Sequence, residues 1–101
     1  MTLTLDPEGS ETRALLDMVT FAGKDVLEIG CGDGRLTWRY ADRAARVTAI
    51  DPSESEIALA RENIPAQLRD RIEFHASAFE DYAAGRTDSA HDIAILSWSL
   101  C

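Results

Sequence analysis

Gly30-Cys31-Gly32-Asp33-Gly34 sets three glycines at alternate positions, directly after a short apolar run and before a helical pattern. Alternate glycines let a chain turn sharply and let a ligand lie against the backbone with no Cβ in the way. The helix start that follows offers N–H groups to the same space. A strand-to-helix turn without a ligand needs fewer glycines than this. Two pyrophosphate-binding patterns fit poorly. The dinucleotide fingerprint G-x-G-x-x-G meets Arg35 at its sixth position, and Arg35-Leu36 is not the Lys-Ser/Thr pair of a phosphate loop. Seventeen residues beyond Gly34, Asp51 closes a second apolar run. A carboxylate there can accept hydrogen bonds from both hydroxyls of a ribose. Asp51-Pro52-Ser53 is also ordinary turn chemistry, but beside the glycine loop the ribose reading leads.

The elements that must hold these residues follow from periodicity and punctuation. A helix opens near Asp6-Pro7 or Ser10, with Leu15, Leu16, Val19 and Met18 on its apolar side and Gly23 at its end. Asp25 to Ile29 reads as a buried strand. From Leu36 to about Ala45 the pattern is helical, with Leu36, Tyr40 and Ala44 on one side and Trp38, Ala41 and Ala45 beside it. Arg46 to Ile50 is a second strand. Ser53 and Glu56 have capping-box spacing and open a helix through Ile57, Ala60 and Ile64 that Pro65 stops. Ile72 to His75 is a third strand and Asp92 to Ser97 a fourth, with a weaker segment from Phe79 to Ala84 and a polar loop between them. Strands alternating with helices give a parallel α/β sheet, and right-handed crossovers step its first three strands in one direction. If the fourth returns to the other flank of the first, the order is 3-2-1-4. Ligands then bind at the carboxyl ends of strands one and four, where Gly30 to Gly34, Asp51, Ser77 and Ser97-Trp98 lie.

At 101 residues, with 46% hydrophobic and 28% charged, the chain has the length and composition of one small domain. Ten basic against 18 acidic residues give a net charge of −8, which argues against a nucleic-acid backbone or an anionic membrane surface as partner. No apolar run is long enough to cross a membrane, and the first residues do not read as a signal peptide. Cys31 and Cys101 make neither a disulfide framework nor a metal site. The expectation is a soluble, cytoplasmic protein forming a single domain over residues 1–101.

The stretch Val26-Leu27-Glu28-Ile29-Gly30-Cys31-Gly32-Asp33-Gly34 resembles the first motif of class I S-adenosylmethionine-dependent methyltransferases. Ala49-Ile50-Asp51-Pro52-Ser53 is similar to their acidic second motif, Ile72 to Asp81 to the third, and Asp92 to Leu100 to the strand-four motif. The resemblance implies a Rossmann-like open parallel sheet with helices on both faces, strand order 3-2-1-4, truncated after strand four. It implies S-adenosyl-L-methionine as cofactor. Gly30, Cys31 and Gly32 then lie against its methionine part, with Glu28 reaching the ammonium group directly or through water. Asp51 holds the ribose, and Pro52 or Ser53 lines the adenine side. Ser77 stands where many members carry an adenine-binding Asp, with Ala78 offering its backbone N–H, and the Ser97 carbonyl faces the cofactor. The Asn-Pro-Pro-aromatic signature of nucleobase and amide methylation is missing from Ser97-Trp98-Ser99-Leu100.

Other residues carry less. His75 and His91 are the only candidate general bases of the usual type; neither reads as catalytic, and His91 falls at the end of the sheet away from the site. Arg35, Arg39, Arg43 and Arg46 read as a solvated flank, and Cys31 as a small apolar residue in a tight space. Methyl transfer from a sulfonium has a neutral leaving group, so positioning an acceptor in line can supply much of the acceleration, and the lack of an obvious base does not count against the resemblance. Family members continue past strand four, so the sequence leaves that strand as an open apolar edge, suited to self-association or a partner chain. Three readings compete: a small-molecule methyltransferase, a non-catalytic cofactor-binding module working with a partner, and a nicotinamide-binding domain that Arg35 disfavours.

Overall fold

A computed structural model describes residues 2–5, 16–84 and 91–97. The sheet has five parallel strands: β1 (Thr2–Leu5), β2 (Asp25–Ile29), β3 (Arg46–Asp51), β4 (Ile72–Ala76) and β5 (Ile93–Ser97). Their order is β1-β5-β2-β3-β4. The four expected strands are β2 to β5, and they stand in the expected order, with β2 between β3 and β5.

Position in the sheet explains each strand's composition. Val26, Leu27 and Glu28 of central β2 are all buried, as are Val47 to Asp51 of β3. A strand covered on both faces reads as a continuous apolar run. β4 lies at the sheet's margin and alternates instead, with Ile72 and Phe74 buried and Glu73 exposed.

The open edge expected along the fourth strand is corrected. β1 runs beside β5 in parallel register, from Thr2 opposite Ala94 to Leu5 opposite Ser97. That pairing occupies the N–H and C=O groups that an edge strand presents to other chains. Self-association along β5 therefore has to displace β1.

Among the described residues, after a helical turn at 16–18, come α1 (Thr37–Tyr40), α2 (Glu54–Asn63) and α3 (Phe79–Ala84). Ser53 caps α2 as its spacing predicts, its Oγ accepting from Glu56 N at 3.3 Å. Pro65 follows the helix end at Asn63, and α2 packs on β3 and β4. α1 is shorter than the pattern from Leu36 to Ala45 suggests. Turns replace its last residues, and Ala45 N–H bonds to the Lys24 carbonyl at 2.9 Å instead of continuing the helix.

Leu36, Tyr40 and Ala44 are buried as expected, with Ala41 beside them, but Ala45 is exposed. Residues 16–18 are helical; Leu16 there is buried and Val19 packs against the core. Met18 turns outward at 81% exposure, against its expected place on the apolar side. Gly23 does not terminate that helix; at φ 73° it makes the turn that leads into β2. The helix start near Asp6 or Ser10, Leu15, the loop at 85–90 and Trp98 to Cys101 fall outside the described residues.

Candidate functional site

Parallel strands bring all their carboxyl ends to one side, and the glycine loop, Asp51, Ser77 and Ser97 meet there. Gly30, Gly32 and Gly34 adopt φ values of 80°, 56° and 93°, a region that side chains avoid. Gly34 is required twice over. A Cβ there would stand 2.5 Å from Cζ2 of Trp38, whose indole packs edge-on against Phe74.

The loop is tied to β3. Gly30 N–H and Cys31 N–H both donate to the Ile50 carbonyl, at 2.8 and 3.1 Å. Gly32 N–H donates to Asp51 Oδ2 at 3.0 Å, and Ser53 N–H to Asp51 Oδ1 at 2.9 Å. The turn reading and the ligand reading of Asp51 are therefore compatible. Each carboxylate oxygen has two lone pairs, so one acceptor position on each is left after the backbone is satisfied. On the other side Ser77 N–H donates to the Asp51 carbonyl at 2.9 Å, fixing the segment after β4 to the same residue.

Glu28 lies deeper than the sequence suggests. It is fully buried, and its Oε1 accepts from Thr37 Oγ1 at 2.7 Å and from the Tyr40 hydroxyl at 2.6 Å. Among the described residues nothing hydrogen-bonds to its Oε2. Burial raises its carboxyl to about 7, opposed by the Tyr40 and Thr37 hydrogen bonds and assisted by the nearby Asp51 charge. Burial, together with Glu28, also pushes the Tyr40 phenol upward.

This pair of hydroxyl partners was missed. Tyr40 was legible as an apolar-face residue, but its hydroxyl looks across to β2. The available signal was Thr37 and Tyr40 at i, i+3, on one side of a helix facing a buried acid.

Cys31 is buried, its Sγ 3.6 Å from the Gly32 carbonyl, and burial pushes its thiol up; both fit a small space-filling side chain rather than a nucleophile. Asp33 and Arg35 pair at 3.3 Å, and that contact holds the Asp33 carboxyl below its ordinary range. Pro52 is exposed beside Asp51. The Ser53 hydroxyl is engaged at the start of α2 and with Ser55, so Pro52 is the freer of the two. The Ser77 hydroxyl donates to the Ala78 carbonyl at 2.9 Å, and both residues are half-buried. Ser97 ends β5 one residue past the pairing of Leu96 with Ile29. His75 lies within β4 and His91 contacts the Tyr82 hydroxyl at 3.0 Å; neither joins the loop and Asp51.

A model of the methyltransferase domain matches residues 26–101, three quarters of the chain and all the elements just described from β2 onward. The chain belongs to that family. This is the class I methyltransferase fold that the motifs resemble. The domain is 38% identical over 66 residues to the magnesium-protoporphyrin O-methyltransferase of Rhodobacter capsulatus, covering 65% of this chain and 30% of that one. Against a ubiquinone biosynthesis O-methyltransferase of Azotobacter vinelandii it is 44% identical over 75 residues, covering 69% and 31%. A methyltransferase of Thiobacillus denitrificans, solved with S-adenosyl-L-homocysteine, superposes with a TM-score of 0.67 at 25% identity, covering 92% of this chain and 38% of that one. The methyltransferase domain here thus spans about a third of the length of these relatives. Among the described residues no helix is long and apolar enough to cross a membrane, and no cluster of side chains suits a metal ion.

Proposed function

We propose that residues 1–101 form a single cofactor-binding domain for S-adenosyl-L-methionine, within an enzyme that methylates a small-molecule acceptor at oxygen. The observation that carries the reading is the Asp51 carboxylate. Its orientation is fixed by Gly32 N–H and Ser53 N–H, and it retains one acceptor position on each oxygen. That geometry suits a vicinal diol. The alternate glycines leave no Cβ at positions 30, 32 and 34 of the neighbouring turn, and the orphaned Oε2 of Glu28 supplies a buried acceptor for a cation. The residues present therefore fit the cofactor.

In this reading Asp51 binds the ribose hydroxyls, and Gly30, Cys31 and Gly32 pack on the methionine part above Glu28. Pro52 lines the adenine, Ser77 and Ala78 offer polar groups to its edge, and the Ser97 carbonyl closes the site from β5. Ser77 accepts but carries no charge, which leaves adenine recognition to be shared with the Ala78 N–H. When bound, S-adenosylmethionine supplies a methyl group on a sulfonium whose leaving group is neutral. The chain's own contribution is to hold that group in place and in line with the acceptor, which supplies much of the acceleration, while the hydroxyl proton of an oxygen acceptor passes to water. Oxygen as the accepting atom is supported by the O-methyltransferases among the relatives. A net charge of −8 supports a small molecule over a nucleic acid.

Calorimetric titration tests the cofactor. S-adenosylhomocysteine is expected to bind saturably at one site, with NAD silent under the same conditions. Binding of NAD in its place contradicts the assignment and supports a nicotinamide domain.

A further inference from the structure

The glycine turn is held differently at its two ends. Near β2, Gly30 N–H and Cys31 N–H donate to the Ile50 carbonyl and Gly32 N–H to Asp51 Oδ2, so β3 fixes that part. At the far end the bonds are local. Gly34 N–H donates to the Cys31 carbonyl and Trp38 N–H to the Gly34 carbonyl, both at 3.1 Å. The second bond sets Trp38 one helical turn beyond Gly34. A helical side chain points back over the turn before it, which directs the indole onto Gly34. Its six-membered ring lies so close that a Cβ at Gly34 would stand 2.5 Å from Cζ2, 2.9 Å from Cε2 and 3.0 Å from Cη2. Only a residue without a side chain lets the ring rest on the backbone there.

The indole also meets β4. Its ring stands 5.9 Å from that of Phe74, centroid to centroid, at 78°. Phe74 is buried, and just beyond it in the chain Ser77 N–H donates to the Asp51 carbonyl at 2.9 Å. Trp38 thus stands between the last glycine of the turn and the strand that leads to Ser77 and Ala78. It packs against the core but is only half-buried, so another apolar residue can replace it at less cost than the enclosed side chains around it.

We propose that Trp38 is a positioning residue for the ligand: its ring braces the far end of the glycine turn against β4 and so favours ligands that lie along that turn. The inference rests on the cofactor reading above, in which the methionine part packs on Gly30, Cys31 and Gly32, and adds to it a residue outside those contacts. Without the ring the turn loses its support at Gly34, and misplacement of a binding group by about 1 Å can cost on the order of a hundredfold. The adenosine end is less affected, because Asp51 keeps its bond from Ser53 N–H and Ser77 its bond to the Asp51 carbonyl.

The test compares two ligands by calorimetry on the full chain. S-adenosylhomocysteine carries the amino-acid part, and 5′-methylthioadenosine keeps the adenosine without it. Trp38→Leu retains apolar cover for Phe74 and removes the flat ring. It is expected to weaken S-adenosylhomocysteine about tenfold to a hundredfold and to leave 5′-methylthioadenosine as in the parent. Gly34→Ala disturbs the same contact from the other side by driving the ring away, and should show the same split. In the double variant Gly34→Ala should cost less than it does alone, since only the strain of a φ of 93° remains once the ring is gone.

A merely structural role for Trp38 would lower stability to urea and weaken both ligands alike or neither. Either of those results, or costs that simply add in the double variant, overturns this inference and leaves the cofactor reading standing. Should Trp38→Leu not fold, the presence or absence of the split in Gly34→Ala decides. A folded parent chain that binds neither ligand overturns the cofactor reading and this inference together.

Discussion

Asp51→Ala is expected to lower the unfolding free energy by roughly 2–4 kcal/mol, because it strips acceptors from two backbone N–H groups, at about 1–3 kcal/mol for each one left unpaired in the interior. Those groups are Gly32 N–H in the buried turn and Ser53 N–H at the start of α2. The same change removes both acceptor positions offered to the ligand diol. Affinity for S-adenosylhomocysteine should fall by about a hundredfold or more, as expected for two hydrogen bonds to a charged group. Asp51→Asn separates the effects. Its one remaining oxygen satisfies part of the backbone, so stability falls less, while a diol can no longer be gripped by two acceptors. Urea denaturation and calorimetry on both variants read the two losses, and unchanged affinity in Asp51→Asn would contradict the role given to the carboxylate.

The second large effect is in stability against pH. Between about 4.5, the ordinary value, and about 7, where burial holds Glu28, the native chain keeps a proton that the unfolded chain has lost. Stability therefore falls as pH rises through that window, and this group adds no further slope above it. The full span amounts to roughly 3 kcal/mol at 1.36 kcal/mol per pKa unit. Glu28→Gln keeps an acceptor for Thr37 and Tyr40 but cannot ionise. It should match the parent near pH 4.5 and exceed it by most of that span at pH 8. Denaturation series at pH 4.5, 6 and 8 check this; parallel curves for parent and variant would mean that Glu28 is not a buried neutral acid.

Much of this was readable from the chain because local rules and the fold agree. β2 and β3 lie inside the sheet, and their runs are mostly apolar, broken by the buried Glu28 and Thr48 and closed by Asp51. Three alternate glycines mark the loop, and Ser53 with Glu56 announces α2. β1 escaped notice for a physical reason. Four residues, Thr2 to Leu5, are too few to establish a period, and their partner β5 begins nearly 90 positions away, so no local signal ties the two together.

The same blindness hid the Glu28 cluster. Periodicity counts Tyr40 as apolar and says nothing of where its hydroxyl ends, although that hydroxyl and Thr37 determine how the acid is held. Where α1 stops was also invisible, since the Lys24 carbonyl that receives Ala45 N–H comes from the turn before β2.

The claim that the glycine loop and Asp51 form one ligand site is tested most directly by amide shifts on titrating S-adenosyl-L-methionine into the labelled chain. The account predicts the largest changes at Gly30, Gly32, Asp51, Ser77 and Ala78, with β1 and the outer side of α2 unmoved. Saturable binding whose shifts cluster elsewhere, leaving Gly32 and Asp51 unchanged, would contradict it.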